Sequence, residues 1–512
     1  MIKRVMGLPE LELISHLSVL RDSELLYERG IFPQSTYVFK HALTRDVVYD
    51  SILKNTKKRL HNEIGSALEE IHKDNPDEYY AVLAEHFIAG GNYEKAIEYC
   101  RLAERKAEKA ASFSDAITYA QKRVACLERL PPTEDISKKM VDARTTLGMY
   151  LTNINHTIEA KEAVEPVVDL ALKLGYKRRI SQIYTILGRY SWLVEDDYPH
   201  ARRYLTDALS IAEELNDVLS LATANLSLGL MWSWNCEYEK ALYHFGKALD
   251  IVTATNSLWV IAAIKSHMAS CVYNPQGEVD LGFKESSEAL QIAEESGDIH
   301  TKAFGYSYHG YSCYCKGYFR EAEEYLLKGI NFFERINDPA NLSFIYFSLG
   351  ETCFSMDKHV QAREAAERAL SVLEQHRISP SSQNLGGLAI ALAKTLGGGV
   401  DIELEPLYSY PAANKVKIWD GYTRRYLSVI LMNIDKKHLR QAESWIRKAI
   451  EDDSKNGMKW SLAQDFAYYG ELCRRRGDLA MAKEKLSKAI EIFKECGADG
   501  WVKKYEEELG KI

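Results

Sequence analysis

The chain has 512 residues, 46% of them hydrophobic and 27% charged, a make-up that suits a folded protein and excludes extensive disorder. A net charge of -8 gives no global attraction for nucleic acid or anionic lipid, so any such contact has to come from a local basic patch. Nine scattered cysteines, an odd number, several of them inside helical patterns (Cys100, Cys126, Cys271, Cys353 and Cys473), fit reduced, buried thiols better than a disulfide framework.

In chain order, the first residues, MIKRVMGLPELELISHL, are interrupted by Pro9 and by acidic groups and lack the unbroken apolar core of a signal peptide. No later run approaches the ~20 apolar residues of a membrane-spanning helix, and the expectation is a cytoplasmic protein. LPELELISHLSVLRDSELL predicts a helix, and LYERGIFPQSTYVFKHAL a short hairpin turned by Gly30 and Pro33. From Tyr37 to Leu53 the pattern then switches from strand-like alternation to an amphipathic helix carried by Leu43, Val47, Val48, Ile52 and Leu53, with helices predicted from Thr44 to Ile71. Helices followed by a small two-stranded wing outline a winged-helix-like segment over residues 1–75, and residues 76–131 read as a helical bridge or first repeats.

From 132 to 512 one pattern recurs. Only 12 prolines occur in the whole chain, and Ala, Leu, Glu and Lys return at three- and four-residue spacing, so the protein is predicted to be all-α. Small residues fall at Ala160, Ala201, Ala241, Gly282, Ala322, Ala362, Ala442 and Ala482, a step of about 40 residues with one vacancy at Ile402. Seven residues after most of these comes a second small residue (Ala208, Ala248, Ala289, Gly329, Ala369, Ala449, Ala489). Seven residues are about two helical turns, so each pair forms a notch on one face where a neighbouring helix can approach closely. Gly148, Gly229, Gly310, Gly350 and Gly470 lie twelve residues before a member of the first set, and Gly188 thirteen, each in the preceding helix. The repeating unit is a helical hairpin. Residues 379–415 keep the phase but break the pattern, with Gly397, Gly398 and Gly399 and then Pro406 and Pro411 where a second helix should stand. They read as a hinge or a decayed repeat.

The spacing of small residues, with staples such as CEYEKA and RGDLAMA between the helices, resembles the tetratricopeptide repeat, at a period longer than usual. That resemblance implies a superhelix with an inner groove. Separately, SELLYERGIFPQSTYVFKHALTRDVVYDSIL, KKRLHNEIGSALEE and LAEHFIAGGNYEKAIEYCRLAERKAEKAASFSDAI closely resemble a junction in large bacterial signalling proteins. There a STAND-type, AAA-like NTPase module, often preceded by a class III adenylate/guanylate cyclase domain, ends in a winged-helix-like segment and passes into such repeats. In that family the NTPase and cyclase parts would lie upstream of Met1.

The chain offers little for catalysis. GGLAIALAKT, from Gly386 to Thr395, comes nearest to a phosphate-binding loop, but Leu388 and Ala393 stand where glycines are needed. Cys313 and Cys315 are two apart with no second pair, and His41, His61, His86 and His309 have no ligand-spaced partners. Neither Glu213 with Glu214 nor Asp196 with Asp197 stands out as an acid/base pair. No catalytic residue, cofactor or metal is therefore expected. The basic run KNTKKRLH, from Lys54 to His61, suits a solvated helix face or an NTPase contact better than DNA phosphates.

In repeats of this type the first helix of each hairpin lines the concave side. Counting one and four residues after its glycine gives Arg189, Trp192, Ser233, Tyr311, Tyr314, Glu351, Phe354, Glu471 and Arg474 as groove residues, suited to a peptide or apolar helix; packing between hairpins accounts for the aromatics equally well. The Lys and Asn residues of a carboxylate clamp are not arranged there. The expectation is thus a non-catalytic interaction and sensor module that binds a protein or peptide in the groove and regulates an NTPase or cyclase module in cis or in trans. The alternatives are an accessory subunit or fragment of a cyclase-NTPase enzyme, and a DNA-binding regulator acting through the winged helix.

Overall fold

The caps of the helices are written into the connecting segments. Asn92, Asp197, Asp217, Asp298, Asp338 and Asp478 each accept a hydrogen bond from a backbone N–H three residues on, satisfying donors that a helix start leaves free. At the other ends, Gly91, Asn216, Gly277, Gly297, Gly317, Asn337 and Gly497 adopt the left-handed conformation that closes a helix. A computed structural model describes residues 1–30, 35–398 and 402–512. It divides into two compact units, Met1–Leu147 and Gly148–Ile512.

The first unit opens with α1 (Ile2–Met6) and α2 (Glu10–Asp22), followed by strands β1 (Leu26–Arg29) and β2 (Thr36–Phe39). The strands pair antiparallel, Leu26 opposite Phe39 and Arg29 opposite Thr36. This is the expected hairpin; Gly30 has φ +92°, and Pro33, assigned to its turn from the sequence, lies outside the described residues. Next come α3 (Ala42–Ser51), α4 (Lys54–Ile71), α5 (Tyr80–Gly90), α6 (Tyr93–Lys109), α7 (Phe113–Leu127) and the start of α8 (Glu134–Asn153). Among the described residues up to Leu53, Leu26 alone is buried. The core of this unit lies further along, where Phe87, Ala96, Cys100, Ala116 and Ala120 are excluded from solvent.

The second unit is a superhelix of helical hairpins of tetratricopeptide-like, all-α architecture. After the end of α8 run α9 (Thr157–Val164), α10 (Val168–Lys173), α11 (Lys177–Leu193), α12 (Tyr198–Leu215), α13 (Val218–Trp234), α14 (Tyr238–Ala254), α15 (Leu258–Met268), α16 (Asn274–Gln276) and α17 (Val279–Ser296). They continue as α18 (Ile299–Lys316), α19 (Phe319–Ile336), α20 (Pro339–Ser355), α21 (His359–Gln375), α22 (Pro380–Leu396), α23 (Leu404–Ala413), α24 (Asp420–Ile434), α25 (Leu439–Lys455), α26 (Lys459–Arg475), α27 (Leu479–Cys496) and α28 (Asp499–Leu509). A π turn, Ala269–Tyr273, joins α15 to α16, just ahead of Pro275, which has no N–H to continue the ladder.

The phase read from the sequence is the packing phase. Ala160, Ala201, Ala241, Ala322, Ala362, Ala442 and Ala482 are fully buried, and in five of the hairpins the glycine of the preceding helix (Gly148, Gly188, Gly229, Gly310 or Gly470) faces the residue four beyond the alanine. A Cβ on Gly188 would meet Leu205, on Gly229 Phe245, on Gly310 Leu326 and on Gly470 Leu486, all at 2.6–2.9 Å. In the irregular unit a second helix does form, as α23, but it is only 10 residues long. Pro406 sits in its first turn, where a missing N–H costs nothing, and Pro411 sits near its end. Gly399 lies outside the described residues.

Successive turns of this superhelix touch. Asn155 Nδ2, in the turn after α8, donates to both carboxylate oxygens of Asp338, before α20, at 2.9 and 3.0 Å. Ser381 donates through its N–H and Oγ to Asp196 at 2.9 and 2.8 Å, and Lys316 Nζ donates to Gly497 O at 2.6 Å. These contacts span 181–185 residues of chain, about four and a half repeat lengths. In each, a turn inside one hairpin meets a turn between hairpins further along, so the interior of the winding is narrow. Among the described residues no helix is long and apolar enough to cross a membrane.

Candidate functional site

Inside the second unit, the first helices of several hairpins surround a cavity of about 120 Å³. Arg189 and Trp192 come from α11, Leu230 and Trp234 from α13, His267 from α15 and Cys271 from the π turn. Phe304, Tyr308 and Tyr311 come from α18, Asn341 and Phe344 from α20, and Trp419, Tyr422 and Trp460 close the lining. The indoles of Trp192, Trp234 and Trp419 meet edge to face in series, with centroids 5.1 and 5.9 Å apart.

Polar groups are set into this aromatic wall. The Arg189 guanidinium donates to Asn155 Oδ1, and Asn155 in turn donates to Asp338, so a buried cation and a buried carboxylate share one bridging amide. Burial lowers Arg189 to about 10 and raises Asp338 above the usual carboxylate range, against the pull of its hydrogen bonds from Asn341 and Asn155. Arg189 remains a cation at neutral pH. Burial pushes His267 down to about 3, with Arg189 nearby adding to the effect, so its ring is neutral. Three buried nitrogens on the lining residues, Arg189 Nε, Trp192 Nε1 and His267 Nδ1, have no hydrogen-bond partner within the protein. Tyr308, by contrast, donates to Asn341 Oδ1 at 2.5 Å.

A smaller cavity of about 40 Å³ lies between Tyr314, Glu351, Phe354, Arg425, Tyr426 and Lys504. Burial raises the Glu351 carboxyl and lowers the Lys504 ammonium. Glu351 accepts from the hydroxyls of Tyr426 and, at 3.4 Å, Tyr314; Lys504 donates to Ser355 O at 2.9 Å.

Of the groove residues counted from the sequence, the structure brings Arg189, Trp192 and Tyr311 together in the larger cavity and Tyr314, Glu351 and Phe354 in the smaller one. Ser233 is buried and donates to Leu230 O at 2.8 Å. Glu471 and Arg474 pair with each other at 2.7 Å on a partly exposed stretch of α26 and line neither cavity. Counting missed Asn155, Trp234, His267, Tyr308, Asn341, Trp419 and Trp460. For two other lining residues a signal was present: Ser270 holds the glycine position of its hairpin, and one residue on is Cys271. Cys313 and Cys315 are buried and unpaired, and burial raises both thiols, Cys313 to about 12. The segment Gly386–Thr395 is an ordinary turn-free stretch of α22.

No protein-family model matches the chain, and no curated protein sequence matches it. Among solved structures, it is similar to a Rap protein complexed with competence and sporulation factor, with a TM-score of 0.48 and 16% identity over 75% of this chain and 99% of that one. It is also similar to a signal transduction ATPase with numerous domains carrying a tetratricopeptide repeat sensor, from Pyrococcus horikoshii, with a TM-score of 0.45 and 16% identity over 88% of this chain and 61% of that one. The Cut9-Hcn1 hetero-tetramer of the APC/C gives a TM-score of 0.45 and 16% identity over 88% of this chain and 90% of that one. Each is a likeness of backbone at low identity.

Proposed function

We propose that the chain is a non-catalytic ligand sensor, whose superhelix takes a short peptide into the Arg189–Trp234 cavity and whose first 75 residues report occupancy to an NTPase or cyclase module. The observation that carries the reading is the cavity itself, in which aromatic walls surround buried nitrogens, Arg189 Nε and Trp192 Nε1 among them, without protein partners. An unmade buried hydrogen bond costs about 1–3 kcal/mol, and a peptide carbonyl or carboxylate oxygen would supply the missing acceptor while an apolar side chain fills the aromatic space. The downstream half of the reading is supported by the junction-like sequence from Ser23 to Ile117. It is supported also by the apolar side chains that α2, α3 and the adjoining turns leave in solvent, among them Leu11, Val19, Leu43, Val47 and Leu53, a surface suited to a docked module. A ligand would act by preferring one winding of the superhelix over another.

The test is affinity-selection mass spectrometry of the full chain against a degenerate pentapeptide library. Wild-type chain is expected to retain a subset of peptides, and Trp234→Leu, with an unchanged circular dichroism spectrum, to retain them at least tenfold less well. Equal retention by the two, or none by wild type, overturns the reading.

A further inference from the structure

The turn that carries Asn155 also carries His156, and the turn that carries Asp338 also carries Asn337. His156 immediately precedes α9, and Glu159 lies three residues on in the first turn of that helix. His376 follows the last residue of α21, more than 200 residues further along the chain. Donor atoms of these three side chains all lie within 4.8 Å of one another. The His156 Nδ1 to Glu159 Oε1 distance is 3.6 Å, and the two imidazoles meet edge to face with centroids 5.4 Å apart.

The tautomer of His156 is fixed from behind. Its Nε2 lies 2.8 Å from Asn337 O, an acceptor, so Nε2 carries a proton, which leaves Nδ1, 3.6 Å from Glu159 Oε1, as the ring nitrogen that can take an ion. A ring N–H held by a backbone carbonyl is the usual support of a metal-bound histidine. The scaffold beneath is also fixed without a metal, since Asn155 and Asn337 hold their left-handed turns and Asn155 is tied to Asp338. Glu159 is half exposed, which leaves an entry path and lets its carboxylate swing inward.

We propose that His156, Glu159 and His376 form a divalent transition-metal site of the zinc class, joining the hairpin at 156 to the hairpin that ends at 376. Two imidazoles and one carboxylate, with water in a fourth position, are a tetrahedral zinc donor set. Donors about 2.0–2.1 Å from the ion require the three side chains to close up from their present spacing, a rotation of Glu159 and His376. An ion there fixes the seam on which Arg189 leans through Asn155.

Cobalt(II) titration of the full-length chain tests the site independently of any peptide. The expected result is the visible ligand-field absorption of tetrahedral cobalt(II), saturating at one ion per chain and abolished by zinc(II). His376→Ala, partly exposed and therefore expected to fold, should keep the wild-type circular dichroism spectrum in chelator and bind cobalt(II) at least tenfold more weakly. It should also lose the rise in thermal midpoint that zinc(II) gives wild type. Absence of the visible band, an unaltered band in His376→Ala, or sulfur-to-metal charge transfer from one of the cysteines would each overturn the assignment.

Discussion

Arg425 Nη1 lies 2.8 Å from Asp465 Oδ1 and 3.4 Å from Asp453 Oδ2, and all three side chains are at most 2% exposed. One cation cannot compensate two buried carboxylates. Burial and the neighbouring charge raise Asp453 well above the usual range, and burial raises Asp465 less, to about 6, because the guanidinium opposes it. The proton therefore favours Asp453, which hydrogen-bonds to Asp465, and the guanidinium keeps Asp465 as its anion. An amide mimics a protonated carboxyl in shape and in donor capacity, so Asp453→Asn is expected to change unfolding free energy by less than about 1 kcal/mol. Asp465→Asn leaves Arg425 without its anion and is expected to cost about 3–5 kcal/mol. Urea unfolding of the two variants at pH 7.5 decides the point; equal losses would mean that the proton sits elsewhere. None of this could be read from the sequence, because Arg425, Asp453 and Asp465 stand on three different helices, with no spacing that distinguishes them from solvated charges.

One repeat position is under different constraints in different hairpins, and the sign of a glycine substitution follows from what faces it. A Cβ on Gly310 would sit 2.9 Å from the backbone nitrogen of Leu326 and 3.1 Å from Tyr325 Cβ, neighbours with no freedom to move aside. A Cβ on Gly350 would meet Ala362 O at 3.4 Å and nothing else closer than 3.8 Å. Alanine gains up to about 1 kcal/mol over glycine inside a helix, and overpacking costs about 1–3 kcal/mol. Gly310→Ala is thus expected to lower stability by about 1–2 kcal/mol and Gly350→Ala to be neutral or to raise it by up to about 1 kcal/mol, as read from thermal or urea midpoints. The same sign at both positions would contradict the packing described here. This explains why the hairpins were legible: each small residue is small because a particular neighbour fills its notch, and that constraint repeats every 40 residues or so. The cavity was only partly legible. Arg189, Trp192 and Tyr311 follow from counting along one helix, but Trp419 lies in a short turn before α24, Asn155 in a loop, and His267 behind a hairpin whose marker glycine is Ser270. Their convergence depends on how far the superhelix winds, which depends on small angles between neighbours that no single motif records.

An open solenoid is quasi-one-dimensional, because each repeat contacts its neighbours alone and a local injury stays local. The second unit departs from this through its touching turns, and the C-terminal one is the clearest. Trp501, at the start of α28, donates its indole N–H to Tyr314 O at 2.8 Å. Its ring packs on Tyr314 and Phe319 from the α18–α19 hairpin, two before the irregular unit, and on Trp460 and Phe493 from its own end. Gly317 and Gly500 meet backbone to backbone, each lacking the Cβ that would collide with the other. Replacing a buried tryptophan with alanine costs about 3–5 kcal/mol, and in an open array the weakening would be confined to α26, α27 and α28. Here Trp501→Ala is expected to lower amide protection in two separate places, the C-terminal helices and the Cys313–Ala322 turn 187 residues before it, while the helices around Phe245 keep theirs. Hydrogen exchange followed by mass spectrometry resolves these segments in one experiment. Loss of protection restricted to residues after Trp460 would show that the turns lie side by side without supporting each other, and a cavity lined by helices from α8 to α26 would then have to be held by neighbour packing alone.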